Sequence, residues 1–183
     1  HTTLTDPAKD IHTGVTAVLP HGGNLFRDKV MAACAVINGG YLVQPHVVKQ
    51  VLDADGNIVE NVEPEVKRQV LSAETSATMR ELLTRSVNMT AADGKTLTGG
   101  NKTGYVAGYK AGGKSGTSQR KQALSDEEQT YYSSYWGFAP GDDPQIAVLF
   151  LVDEATTTTS DYGSQVAAPL VAECPLGLEC RVK

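Results

Sequence analysis

Residues Gly108–Gln119 read GYKAGGKSGTSQ, a segment rich in glycine and in small hydroxyl side chains. Successive side chains of a β-strand point to opposite faces, so a strand here puts Lys114 and Gly116 on one face. Ser115 and Thr117 then share the other face. A glycine lets a ligand approach the strand closely, and an edge strand can receive an extended peptide through its unpaired backbone groups. A strand of this composition would suit an extended ligand if it lay at the edge of a sheet.

Further strands are predicted after this segment. Strand-like runs cover Tyr109–Ser118, Thr130–Ala139 and Pro144–Asp153, and the last two are joined by a turn sequence, PGDD, at 140–143. Such a short connection predicts an antiparallel meander. Residues 146–152 read IAVLFLV, which is apolar on both faces, so this strand is expected to be covered on both sides. Helices should therefore flank the sheet.

Three helices are predicted from apolar residues at helical spacing. The first, Leu25–Asn38, ends at two glycines that tolerate positive φ. The second, 73–88, follows Ser72, a residue type that caps helix N-termini. The third, Asp161–Glu173, contains Pro169, which should bend or shorten it. The side chains expected to face the core are Met79, Leu82, Leu83 and Val87 in the second helix and Val166, Leu170 and Val171 in the third.

The remaining segments are predicted as a hairpin and loops. Tyr41–Val62 contains two strand-like runs around the turn cluster Asp53–Asn57, which predicts a hairpin. Asn88–Gly108 is rich in glycine, threonine and asparagine, which is typical of a surface loop beside a site. Residues 1–24 are expected to be irregular, and 174–183 to form a tail. The predicted fold class is α+β, an antiparallel sheet flanked by helices.

Length and composition fit one globular domain spanning residues 1–183, with 40% hydrophobic and 20% charged residues. Helices, hairpin and loop occupy 25–108, and the meander with its closing helix occupies 109–173. The sequence has neither a run of eighteen apolar residues nor a signal segment. It begins with His1 and not with methionine. We therefore expect a segment of a longer protein.

Charge and histidine placement argue against several classes of function. Sixteen basic and twenty-one acidic residues give a net charge of -5, and no segment clusters Lys and Arg with aromatics, so nucleic acid is not an expected partner. The glycines near Gly112 enter a strand and do not open a helix, which argues against a phosphate loop. The four histidines lack the spacing of metal ligands: His1, His12, His21 and His46.

The three cysteines do not form a disulfide framework. Cys34 lies in an apolar helical stretch, which favours a small buried thiol over a catalytic one. Cys174 and Cys180 are six residues apart and can pair in an oxidising compartment or stay reduced, and the sequence leaves this open. A metal site would need further ligands, which the tail lacks.

The segment around Lys114 resembles the Lys-Thr/Ser-Gly motif of penicillin-binding proteins and serine β-lactamases, in the extended form of the transpeptidases. Other segments match that family in order: INGG at 37–40 with Pro45, SYWGFAP at 134–140, DPQIA at 143–147 and YGSQVAAP at 162–169. The resemblance covers about residues 30–173. It implies the C-terminal part of a class B penicillin-binding protein transpeptidase domain, with part of its β-lactamase-like fold.

The resemblance implies roles for the residues of the strand. Lys114, Ser115 and Gly116 would form the catalytic motif, with Lys114 helping to polarise the site. Ser115 and Thr117 would hold the substrate carboxylate, and Ser118 would be a further substrate-binding residue. The amide of Thr117 would stand in the oxyanion hole. No metal or organic cofactor is implied.

Three look-alike motifs do not fit the family. Lys102-Thr103-Gly104 lies among turn formers, so the lysine motif is assigned to Lys114. Ser118-Gln119-Arg120-Lys121 spells Ser-x-x-Lys but leaves a strand, whereas the family's nucleophile opens a helix. Ser86-Val87-Asn88 spells Ser-x-Asn but closes a helix. The serine nucleophile is therefore absent from these 183 residues, and Leu25–Asp28 also departs from the family's usual Thr-Pro-Leu-Gln.

The implied parent protein is a serine D,D-transpeptidase that cross-links peptidoglycan stem peptides and is acylated by β-lactam antibiotics. It would be membrane-anchored and act on the outer face of a bacterial cytoplasmic membrane. This chain would be inactive alone, because it lacks the nucleophile. A D,D-carboxypeptidase or a β-lactam sensor shares the motif. A non-catalytic binding or structural module on the same fold is the alternative from another class.

The resemblance also predicts an exposed strand edge. In the family the lysine strand is at one edge of the sheet and the last strand is interior, beside strands from upstream of the nucleophile. Pro144–Asp153 would then be an apolar edge without its neighbour. We expect it to pair with a second copy of the chain, or with a substitute such as Thr2–Leu4.

Overall fold

The computed structural model describes residues 25–119, 130–153 and 160–173. The expectations for residues 1–24, for Thr2–Leu4 as a substitute strand, for Cys174 and Cys180 and for the tail lie outside the described residues. Arg120 and Lys121 of the Ser-x-x-Lys look-alike lie outside them as well. Within the described part of the chain, no helix is long and apolar enough to cross a membrane.

A three-stranded antiparallel sheet forms the centre of the molecule. Its strands are β5 (Gly112–Gln119), β6 (Tyr131–Ala139) and β7 (Ile146–Asp153), paired in the order β5-β6-β7. The predicted meander is confirmed, although the first and third strands begin later than predicted. Before Gly112 the backbone bonds elsewhere, since the Lys110 carbonyl accepts the N–H of Gly141. Pro144 has no N–H to donate to a ladder.

Helices cover both faces of the sheet, as the apolar run in β7 predicted. Helices α1 (Leu25–Ile37) and α2 (Ala73–Asn88) pack on one face, and α3 (Gly163–Val166) and α4 (Ala168–Glu173) pack on the other. The buried residues of the first core are Ile37, Leu83, Trp136, Phe138 and Ala147. Those of the second core are Tyr135, Ala167, Ala168 and Val171. This arrangement holds β6, the central strand, between two apolar layers.

The first two helices lie where they were predicted. α1 is followed by Gly39 and Gly40, whose φ values of 92° and 90° end the helix. The side chain of Ser72 accepts the N–H of Thr75 and caps α2. The predicted inner face of α2 was wrong at Leu82, which is 54% exposed. The helix is instead rotated so that buried polar side chains join Leu83 and Val87 on the inside: Ser76 and Thr84.

The closing helix is divided at Ala167 into α3 and α4. The predicted interruption is confirmed, because Pro169 cannot donate the N–H that a continuous helix would need. Pro169 is the second residue of α4, where a missing N–H costs little. Val171 is buried as predicted, but Leu170 is 41% exposed. After the break, alanines and Val171 form the face that contacts the sheet.

The hairpin predicted over Tyr41–Val62 is part of a larger arm. β2 (Gln50–Leu52) and β3 (Ile58–Asn61) pair around the predicted turn, where the Asp53 carboxylate accepts backbone N–H groups. β1 (Tyr41–Gln44) pairs with β4 (Glu65–Gln69), which was not predicted. β4 reads EVKRQ and is exposed at every position, so it has no alternation of polar and apolar residues to reveal it.

Ser76 provides a test of how α1 and α2 are joined. Its hydroxyl is fully buried, donates to the Val36 carbonyl at 2.8 Å and accepts the Gly39 N–H at 3.0 Å. Ser76→Ala leaves both backbone groups without this partner and should lower the free energy of unfolding by about 1–3 kcal/mol. Urea denaturation measures the change. The exposed Thr78→Ala serves as the control, and equal midpoints for the two variants would contradict this role of Ser76.

Candidate active site

The lysine motif lies on β5 with the alternation that the sequence predicted. Lys114 is opposite Trp136 in the ladder and therefore lies on the face that α1 and α2 cover. Ser115 is opposite Tyr135, on the face of α3 and α4. The Lys114 side chain is exposed, and its Nζ donates to the Ser115 carbonyl at 2.6 Å. Its charge is therefore accessible at the strand edge.

The outer edge of β5 is open at Thr117. The carbonyl of Gly113 and the N–H of Ser115 both bond to side chains outside the sheet, so these residues point their backbone groups away from β6. Residues two apart in an antiparallel ladder share this direction. The N–H and carbonyl of Thr117 therefore point outward too. Among the described residues, no further strand pairs with β5 on this side.

The first half of the same edge is occupied by side chains. Asn88 Nδ2 donates to the Ala111 carbonyl at 2.6 Å, and Ser86 Oγ lies 3.3 Å from the Gly113 carbonyl. Asn101 Oδ1 accepts the Ser115 N–H at 3.0 Å. Lys114 Nζ donates to the Ser115 carbonyl, so the next outward backbone groups available to an extended ligand are those of Thr117.

Two hydroxyl side chains of the motif differ in their surroundings. Thr117 Oγ1 accepts the N–H of Gly163 at 2.9 Å, which leaves its own proton free for a ligand oxygen. Gly163 begins α3 and has no space for a Cβ, which would overlap the carbonyl oxygens of Ser134 and Gly116. Ser118 is exposed, but by alternation it lies on the Lys114 face and not beside Ser115.

Gly116, in the middle of the motif, lies close to the Ser134 side chain on β6. A Cβ there would lie 2.8 Å from the Ser134 hydroxyl, which itself is 3.3 Å from the Gly116 carbonyl. A Cβ at this position would therefore displace the Ser134 hydroxyl, which can rotate away.

The literal Lys-Thr-Gly at 102–104 lies outside the sheet, as its turn-forming neighbours predicted. It forms a 3-10 helix in which Gly104 leaves room for the Tyr135 hydroxyl, and Gly113 does the same from β5. Burial raises the pKa of Tyr135, so the phenol stays neutral. Lys102 is exposed and lies outside the lysine strand. The assignment of the motif to Lys114 is therefore consistent with the geometry.

Ser86 and Asn88 close α2, as predicted. Ser86 Oγ donates to the Leu83 carbonyl at 2.7 Å, and Asn88 Nδ2 to the Thr84 carbonyl at 2.8 Å. Ser86 also contacts β5, and Asn88 contacts the residue just before it. Sequence reasoning missed Asn101, because an asparagine in a glycine-rich loop is typical of an ordinary turn. Its only signal would have been its nearness to the motif.

Other candidate groups remain structural. Cys34 is half-buried, and burial raises the pKa of its thiol to about 11, so it is protonated at neutral pH, as expected for a non-catalytic cysteine. Within the ranges that the structure describes, no group of three or more His, Cys, Asp or Glu side chains is placed to hold a metal ion. The described histidine, His46, is exposed.

The sequence of this chain is similar to those of known proteins. The sequence profile of the penicillin binding protein transpeptidase domain matches residues 29–175. Stage V sporulation protein D of Bacillus subtilis is 38% identical over 144 residues, which are 78% of this chain and 21% of that protein. Peptidoglycan D,D-transpeptidase PbpA of Mycolicibacterium smegmatis is 27% identical over 138 residues, 75% of this chain and 26% of PbpA.

A solved structure shows the same fold. Penicillin-binding protein A from Mycobacterium tuberculosis, in a ceftriaxone acyl-enzyme complex, matches with a TM-score of 0.63 and 22% identity, over 81% of this chain and 31% of that chain. This confirms the predicted α+β architecture as part of a transpeptidase fold. The chain spans about a quarter or less of the length of these two curated relatives. Since the family profile covers most of its residues, the chain belongs to the penicillin-binding protein transpeptidase domain family.

Proposed function

We propose that the chain is the C-terminal part of a class B penicillin-binding protein, a serine D,D-transpeptidase that cross-links peptidoglycan. The observation that carries this proposal is the half-open edge of β5. It offers the outward backbone of Thr117 beside an accessible lysine, in a chain that belongs to the transpeptidase family. The name of the relative PbpA supports the D,D-transpeptidase reaction.

In this proposal the rest of the protein supplies the nucleophilic serine. Its Oγ attacks the carbonyl between the two terminal D-alanines, the peptide bond breaks and the last D-alanine leaves. An amine of a second stem peptide then attacks the acyl-enzyme and releases the serine. The Thr117 N–H stabilises the oxyanion that develops in both steps. A backbone donor is suited to this role because it is already oriented and needs no reorganisation.

Side chains of the motif bind the substrate carboxylate. The Thr117 hydroxyl already accepts the Gly163 N–H, so it is oriented to donate its proton to a ligand. Ser115 supplies a second hydroxyl on the same face, whereas Ser118 lies on the Lys114 face and would contact a different part of the substrate. Lys114 adds a positive charge that favours an anionic ligand and polarises the site. No cofactor takes part.

β-Lactams would acylate the same serine. The ceftriaxone acyl-enzyme of the M. tuberculosis protein supports this, as does the extended shape that an open strand edge accepts. Cross-linking of peptidoglycan takes place outside the cytoplasm, so the complete protein would be anchored in the cytoplasmic membrane and act on its outer face.

The outer edge of β7 is proposed as the junction with the rest of the domain. In the part of the chain that the structure describes, β7 pairs with β6 alone. By the same ladder geometry, the backbone groups of Leu149 and Leu151 point away from β6. Such an apolar edge needs a neighbouring strand. In the isolated chain a second copy would provide it.

Fluorescent penicillin tests the absence of the nucleophile. The isolated chain should remain unlabelled, because an oxyanion hole without an attacking serine cannot acylate. Intact-mass spectrometry of the chain after incubation with the antibiotic gives the measurement. A stoichiometric adduct would contradict the proposal.

Replacing Lys114 in the complete protein tests the choice of lysine. Lys114→Ala should slow acylation by a fluorescent penicillin by ~100-fold or more, which is the typical effect of losing a preorganised electrostatic group, with little change in melting temperature. Lys102→Ala is the matched control, since Lys102 belongs to the second Lys-Thr-Gly and is also exposed. Equal acylation rates for Lys114→Ala and the parent would show that the motif is misassigned.

Sedimentation of the isolated chain tests the β7 edge. We expect a dimer at micromolar concentration, and Leu151→Pro should abolish it, because proline blocks the outward edge at a position whose N–H makes no bond within the sheet. Leu151→Ala, which changes the side chain alone, should leave the dimer intact. A monomeric parent chain, or a Leu151→Pro variant that still dimerises, would rule out this edge as the interface.

A further inference from the structure

Asn101 is the buried polar residue that contacts the lysine motif directly. It lies in the loop between α2 and β5 and is 7% exposed. Its side chain accepts the Ser115 N–H at Oδ1, at 3.0 Å, and donates from Nδ2 to Ser86 Oγ at 3.2 Å. Its backbone N–H donates to the Ser86 carbonyl at 3.1 Å, and its carbonyl accepts the Gly104 N–H at 3.0 Å. Both its backbone and its side chain are therefore fixed.

The orientation of the Asn101 amide follows from these two partners. If oxygen and nitrogen were exchanged, the NH₂ group would face the Ser115 N–H, donor against donor. Nδ2 also requires an acceptor, and Ser86 Oγ can accept because it donates its own proton to a backbone carbonyl. Asn101 therefore presents an acceptor to β5 at a defined position.

The position of this acceptor determines which part of β5 remains free. The N–H groups of Ser115 and Thr117 face the same side and are separated by about 7 Å, the rise of two strand residues. An extended ligand could pair with either donor, in registers that differ by two residues. Because Asn101 accepts the Ser115 N–H, the Thr117 N–H is left as the outward donor of the motif.

We propose that Asn101 is a positioning residue that sets the register of ligand binding on β5. It blocks the Ser115 N–H, directs the ligand carbonyl to Thr117 and holds the strand edge against the end of α2. It does not touch the reacting atoms. This inference rests on the proposed function, since it concerns the geometry of the same acylation site.

The neighbouring contacts on this edge, made by Asn88 and Ser86, involve backbone carbonyls and not an N–H group. Asn88 binds the Ala111 carbonyl, and Ser86 contacts the Gly113 carbonyl. Both partners are acceptors that precede the motif, and neither contact removes a donor from the ligand. Of the contacts made by Asn88, Ser86 and Asn101, only the bond from Asn101 reaches a motif residue. If these side chains only supported folding, all three contacts would matter in the same way. If Asn101 sets the register of the ligand, the contact with the Ser115 N–H has an effect of its own on acylation.

The test is the kinetics of acylation in the complete protein. Time courses at several concentrations of a fluorescent penicillin separate the acylation rate constant from the dissociation constant of the initial complex. Asn101→Ala should lower the acylation rate constant by ~10- to 100-fold, as expected for a small misplacement of the reacting groups. Ser86→Ala, which removes the support of Nδ2 but keeps Oδ1, should fall between Asn101→Ala and the parent.

Ser76→Ala is the matched stability control. It too removes a buried side chain with two hydrogen bonds to its surroundings, but away from β5. Its acylation rate constant should be within about twofold of that of the parent, although its melting temperature should fall by about as much as that of Asn101→Ala. An unchanged rate constant in Asn101→Ala, or an equal fall in Ser76→Ala, would overturn the positioning role. A parent protein that is not labelled would instead overturn the proposed function and this inference with it.

Discussion

The free edge of β5 has to satisfy two opposing requirements. Backbone N–H and carbonyl groups that are removed from water need partners, whereas a ligand-binding edge has to keep such groups available. Here the edge is divided at Ser115. Up to this residue, side chains from the end of α2 and from the following loop make the bonds, whereas at Thr117 the edge is open in the part of the chain that the structure describes. The arrangement of the candidate site depends on this division.

The packing of β6 keeps that edge in place. Trp136 and Phe138 point into the core with α1 and α2, while Tyr135 points into the core with α3 and α4. The Tyr135 ring occupies space that Gly104 and Gly113 leave open. Because these contacts come from both sides of the sheet, β5 cannot shift along β6 without disturbing two cores. A rigid strand is what an oxyanion donor requires.

Local patterns were sufficient for much of the fold. Helical spacing and capping residues predicted α1 and α2, and turn residues predicted the meander and the tip of the arm. The errors occurred where exposure is decided by distant partners. Leu82 and Leu170 have the same apolar character as their buried neighbours, and only the direction in which each helix packs leaves them in solvent. β4 is held by backbone bonds to β1 and carries no pattern of its own.

For the candidate site, the sequence predicted a strand at Lys114 and a turn at Lys102, because strands and turns differ in local composition, and the structure contains both. The sequence could not indicate that Asn101 would meet Ser115, fourteen residues further along the chain. That contact requires the loop to fold back against the end of α2. Local propensity acts over a few residues, whereas a hydrogen bond between a loop side chain and a strand edge exists only after the cores have brought the two together.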